Sequence, residues 1–116
     1  MHVLSAVTVA LAAFSSSTLA AICHHEAKGE NCMSKDDAKR AVAAYCRGHF
    51  HRKCVSWKKV EGTEGGVGYV AQNGKFKNED LCVKAGLLIV EQCYGIAAGG
   101  SRTRRFSALD FRYCEW

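Results

Sequence analysis

The chain contains no proline and no N-x-S/T sequon in its 116 residues, so N-linked glycosylation is not expected. No Gly-Lys-Ser/Thr follows a glycine cluster, and Gly65-Gly66-Val67-Gly68 is too incomplete for a phosphate-binding loop. His24 and His25 follow Cys23, but adjacent side chains diverge and no second Cys-His pair follows at finger spacing; no metal site is predicted. Past residue 14 there is no long apolar run, which excludes a predicted transmembrane helix. Repeats, linkers and low-complexity tracts are also missing. No motif calls for a cofactor, and no catalytic motif is specific. These absences remove the common nucleotide-binding, zinc-binding and membrane-spanning classes.

What is present begins with Val3–Phe14, apolar except for Ser5 and Thr8. A small polar segment follows, and Thr18-Leu19-Ala20 fits a small-x-small cleavage site. Residues 1–20 are therefore expected to be a secretory signal peptide. The mature chain, residues 21–116, is expected to form a single secreted, extracellular domain. A core of that size is marginal without covalent help. Help comes from Cys23, Cys32, Cys46, Cys54, Cys82, Cys93 and Cys114, which in an exported chain read as disulfides. Seven is odd, so three bridges plus one free thiol, or a covalent dimer through the odd cysteine, are the two outcomes. Spacing alone leaves on the order of a hundred connectivities open.

The clearest element is Asn78–Gly95. Asn78 can cap a helix, and Glu79 and Asp80 place negative charge in its first turn. Leu81, Cys82, Ala85, Leu88, Ile89 and Cys93 draw one apolar stripe. Gly95 suits a left-handed end. Cys82 and Cys93 share a face but lie about 16 Å apart along the axis. A disulfide needs Cα atoms within about 7 Å, so each must bridge to another part of the chain. A second helix is predicted over Ser34–Arg47, capped by Ser34 with Asp37 three residues on, apolar at Ala38, Ala41, Val42, Tyr45 and Cys46, and ended by Gly48.

Val55–Val60 and Val67–Ala71 read as a hairpin across a glycine-rich loop, with Asn73-Gly74 as a further turn. Trp57 and Tyr69 are its aromatics, either core residues or platforms for a ligand. Ala21–Met33 is expected to be an irregular arm held by its cysteines, and Ile96–Ser101 a glycine-rich loop. Ser107–Trp116 alternates, with Leu109, Phe111 and Tyr113 on one face and Asp110, Arg112 and Cys114 on the other, and reads as a last strand. The order helix, strand, strand, helix, strand predicts an α+β fold: a two-layer sandwich of two helices on a small antiparallel sheet, stapled by disulfides.

The formal net charge of +5 suggests acidic partners or simply solubility. Basic residues cluster twice, in Arg47, His49, His51, Arg52 and Lys53, and in Arg102, Arg104 and Arg105. His49 and His51 alternate around Phe50, so an extended chain would show both on one face. The first cluster is read as a solvated loop or an anion-binding surface, ahead of a pair of acid–base histidines or a metal pair.

The run of Cys32 before a capped helix, Tyr45-Cys46 at its end, Cys54 entering a strand, Cys82 and Cys93 on a second helix, Gly99-Gly100, and a last strand ending in Cys114 resembles small secreted cysteine-rich fungal proteins. These include the glycan-binding lectins of the Y-three type; killer toxins and plant-infecting effectors have similar layouts. The resemblance implies a secreted, non-enzymatic lectin-like protein, a fungal effector among the possible roles, that binds an extracellular glycan or another component of a host or competitor surface. Nucleic acid is not an expected partner. The alternatives are a toxin-like or antimicrobial protein acting on membranes or host proteins, and a small secreted ribonuclease. The ribonuclease would need His49, His51, Glu61, Glu64 and Arg105 to converge.

Overall fold

In a computed structural model, residues 20–25 and 29–115 are described; the expected signal peptide lies almost wholly outside them. The elements are β1 (Ile22–Cys23), α1 (Lys35–His49), β2 (Cys54–Glu61), β3 (Val67–Asn73), α2 (Glu79–Cys93), β4 (Gly99–Thr103) and β5 (Ala108–Arg112). The strands form one antiparallel sheet in the order β1-β4-β5-β3-β2. Both helices pack on one face, so the α+β sandwich expected from the sequence is the fold.

The caps form as the sequence predicts. The Asn78 carboxamide oxygen accepts from the Leu81 N–H at 2.9 Å, and the Ser34 hydroxyl from the Asp37 N–H at 3.1 Å. Gly95 adopts φ +92°, a left-handed conformation that glycine takes without strain as the chain leaves α2. The stripe of α2 is buried at Cys82, Ala85, Ile89 and Cys93. Gly86 and Val90 are buried as well, because α2 has two partners, the sheet and α1. A Cβ on Gly86 would fall 2.4 Å from Cγ2 of Val42 on α1, so only glycine permits this approach.

Cys82 and Cys93 do bond elsewhere: Cys46–Cys82 ties the two helices, and Cys23–Cys93 ties α2 to the edge strand β1. Cys32–Cys114 ties the segment before α1 to the segment after β5. These bridges span 36, 70 and 82 residues of sequence, and loops of that length stabilise by about 4 kcal/mol each in the chain-entropy picture. Cys54 is the free, exposed thiol.

Three local readings need correction. The Ile96–Ser101 segment is not all loop, because Gly99-Gly100 opens β4, an interior strand. A side chain at Gly100 would meet Cys93 Sγ at 2.8 Å and the Ile22 carbonyl oxygen at 2.7 Å. Glycine here permits close packing rather than a turn. Gly48 does not end α1, which continues to His49; Phe50 closes it by donating its N–H to the Cys46 carbonyl at 3.0 Å. His49 and His51 therefore do not alternate on an extended chain. Finally, the arm at 21–33 contributes β1, and the last strand ends at Arg112.

One buried carboxylate fastens the β2–β3 loop. Asp37 accepts from the Thr63 hydroxyl at 2.7 Å, the Glu64 N–H at 2.7 Å and the Arg40 guanidinium at 2.6 Å. Those donors, Thr63 first, hold its pKa down to about 2.

Candidate functional site

Burial alternates along β3 and β5. Gly68, Val70 and Gln72 face the helices, as do Leu109 and Phe111. Val67, Tyr69 and Ala71, with Ala108, Asp110 and Arg112, lie on the opposite face, which neither helix covers.

The register builds that outer face row by row. Lys59, Tyr69, Arg112 and Gly99 form one row across four strands. The next runs through Ala71, Asp110, Ser101 and Ile22. On the edge strand β2, pairing slips between Val55, opposite Gln72, and Lys58, opposite Val70. Ser56 and Trp57 together thus stand opposite Ala71. This bulge continues the Ala71–Asp110 row with an indole, and also spoils the edge for pairing with another chain. Strands are about 4.8 Å apart, so Trp57 and Asp110 straddle about 10 Å, the length of a disaccharide.

Trp57 is 45% exposed and Tyr69 is half-buried; neither belongs to the core. Asp110 is the acidic centre of the face. His24 Nε2 lies 3.8 Å from it, and the Ser101 hydroxyl donates to it. Burial raises its pKa, and His24 and Ser101 only partly offset that. A half-buried carboxylate beside a small hydroxyl and near aromatics can accept from a polyol while rings cover its C–H face. Arg112, at 8% exposure, offers little surface of its own and lies opposite Tyr69 as part of the floor.

The basic candidates fall elsewhere. Arg47 is exposed in the last turn of α1. His49 is stacked on Tyr45, centroids 4.7 Å apart, with Nδ1 3.0 Å from the Tyr45 carbonyl oxygen. His51 is exposed and meets Phe50 edge-on. Arg52 is exposed, while its carbonyl accepts from buried Gln72 at 2.9 Å. Gln72 also accepts from the Tyr45 hydroxyl, whose pKa burial pushes up to about 12. His49 is thus committed to packing, not poised with His51 over a substrate. Among the described residues no group of three His, Cys, Asp or Glu side chains could hold a metal.

Arg102 donates to the Thr103 carbonyl at 2.6 Å, and Arg104 and Arg105 occupy the β4–β5 turn. The two basic clusters, distant in sequence, approach each other across Gly74. The Gly74 N–H donates to the Lys53 carbonyl at 2.6 Å, and a Cβ there would fall 2.1 Å from the Phe106 carbonyl oxygen.

Sequence reasoning missed Asp110, Ser101 and His24 as site residues. Asp110 sits opposite the apolar alternation of β5, a usable signal, but its partners are supplied by strands β4 and β1 that the sequence does not display.

A family described as alpha-galactosyl binding lectin matches residues 33–116. The chain belongs to that family. The lectin's matched region includes Trp57, Tyr69, Ser101 and Asp110 but not β1 or His24. No curated protein matches the lectin's sequence. The glycan-binding class implied by the cysteine and helix layout therefore agrees with the family, and the three disulfides are consistent with an extracellular protein.

Proposed function

We propose that this lectin is secreted and binds α-galactosyl groups without cleaving them, on the outer face of its sheet. The family's description supplies the sugar class. The observation that carries the location is the row Trp57–Ala71–Asp110–Ser101 beside Tyr69, on the face the helices leave open. Galactose carries a continuous C–H patch on one side, opposite its axial 4-hydroxyl. That patch stacks on Trp57 or Tyr69, while Asp110 accepts from hydroxyls on the ring's rim. Ala71 and Ser101 keep the floor flat enough for the ring to reach the carboxylate. The three bridges brace the helices, β1 and the segments flanking the sheet, so little order is gained on binding and little entropy is lost.

The test is a glycan array probed with the oxidised protein and with Asp110→Asn. Retention of α-galactosyl glycans by the native protein, and loss by the variant, is the expected result. Retention of other glycans only would overturn the sugar class; equal retention by both proteins would overturn the site.

A further inference from the structure

We propose that the β4–β5 tip is a second binding surface and that it docks on an anionic lipid bilayer. Phe106 is 82% exposed at the end of a turn closed by the Arg104 N–H donating to the Ser107 carbonyl at 2.7 Å. The Arg105 guanidinium carbon lies 5.6 Å from the centre of its ring. Beside the tip is a groove of about 600 Å³, in which Lys75, Lys77, Arg104 and Arg105 surround Phe76 and Leu81. Among the described residues, none of those four cations has a carboxylate within 4 Å. Several cations on the helices, by contrast, are neutralised: Lys84 by Asp80, Lys35 and Lys39 by Glu91, and Arg40 by Asp37. A neighbouring hollow shares Arg104 and adds Leu87 and Leu88.

The charge calls for an anion, and the phenyl decides which kind. A soluble polyanion would meet the four cations but leave the ring at the apex in water. A bilayer satisfies both, because phosphates meet the cations at headgroup level while the ring enters the acyl boundary. Arg105, stacked on the ring, sits where those two layers join.

The experiment is co-sedimentation with phosphatidylcholine vesicles, with and without about 30% phosphatidylserine, free of glycolipid so that the sugar site plays no part. Native protein, Phe106→Ser, the double variant Arg104→Gln/Arg105→Gln, and Trp57→Ala are compared, with heparin and single-stranded DNA as soluble polyanions. Native protein and Trp57→Ala should bind the anionic vesicles and not the neutral ones. Either tip variant should lose at least about tenfold in partitioning. All four proteins are first checked for native circular dichroism, which substitutions at exposed positions should preserve. Three results would overturn the proposal: no binding to anionic vesicles, equal partitioning of Phe106→Ser and native protein, or tighter binding to heparin or DNA that ignores Phe106.

Discussion

The outer sheet face and the β4–β5 tip share a scaffold and differ in almost everything else. On the face, charge is sparse and engaged: Asp110 is met by His24 and Ser101, and Lys59 lies 3.8 Å from Glu61. Its chemistry is shape, ring stacking and hydrogen bonding. At the tip and in the groove beside it, four cations surround an exposed phenyl and, among the described residues, have no carboxylate within 4 Å. The difference teaches that a net charge of +5 is a poor guide to where this protein binds sugar. Most of the excess is gathered away from the face, so the two surfaces should respond to different variables.

The largest expected effect removes the distinction altogether. Ile89 is fully buried between the layers, and Ile89→Ala should destabilise the fold by about 2–5 kcal/mol, measured by denaturant unfolding with the disulfides intact. Both surfaces should then weaken together as temperature rises. If one survives where the other fails, they do not depend on a common core.

Asp110→Asn sharpens the comparison. A hydrogen bond to a charged group contributes about 1.5–3 kcal/mol, so α-galactoside affinity should fall roughly ten- to hundredfold. Stability should not fall. Because burial raises the pKa of Asp110, the folded state disfavours its charged form at neutral pH, and the amide removes that cost. Calorimetry of binding alongside thermal unfolding checks both halves; a loss of stability comparable to the loss of binding would make Asp110 structural.

As pH falls, the sugar face should respond before the loop fastened by Asp37, because burial raises the pKa of Asp110 whereas hydrogen bonds lower that of Asp37. Its pKa is lowered in the folded protein, so its contribution is complete above the ordinary carboxylate pKa near 3.8 and is lost as pH falls toward 2. Amide exchange in Gly62–Gly66 should accelerate across that window, and Asp37→Asn should remove the pH dependence. The smallest effect is expected at Lys84, exposed on α2 and paired only with Asp80; Lys84→Ala should cost under about 0.5 kcal/mol.

Much of this was legible in the sequence where a property is local. The caps at Ser34 and Asn78, the stripe of α2, and the impossibility of a Cys82–Cys93 bond follow from helical geometry alone. The cysteine count predicted an unpaired thiol as one of two outcomes, and the fold identifies it as Cys54. Strand β4 was hidden because Gly99 and Gly100 carry the signature of a loop, whereas their small size serves close packing against Cys93 and Phe111. β1 is two residues long and exists only because β4 is there to pair with it. The candidate face was half visible: Trp57 and Tyr69 stood out as aromatics, but nothing local says that a bulge turns Trp57 toward the row of Asp110. The histidines misled for the same reason, since Tyr45, four residues before His49, becomes its neighbour only once α1 runs on past Gly48.

The central claim is that sugar binding resides on the outer face and owes little to the basic clusters. Titrating an α-galactoside into the native protein, Trp57→Ala and Arg104→Ala, at 0.1 M and 1 M salt, tests it most directly, because screening shrinks from about 10 Å to about 3 Å between those conditions. Native affinity should hold in high salt, Trp57→Ala should abolish binding while leaving the fold intact, and Arg104→Ala should matter little. Binding that disappears with salt or with Arg104, and survives the loss of Trp57, would contradict the account.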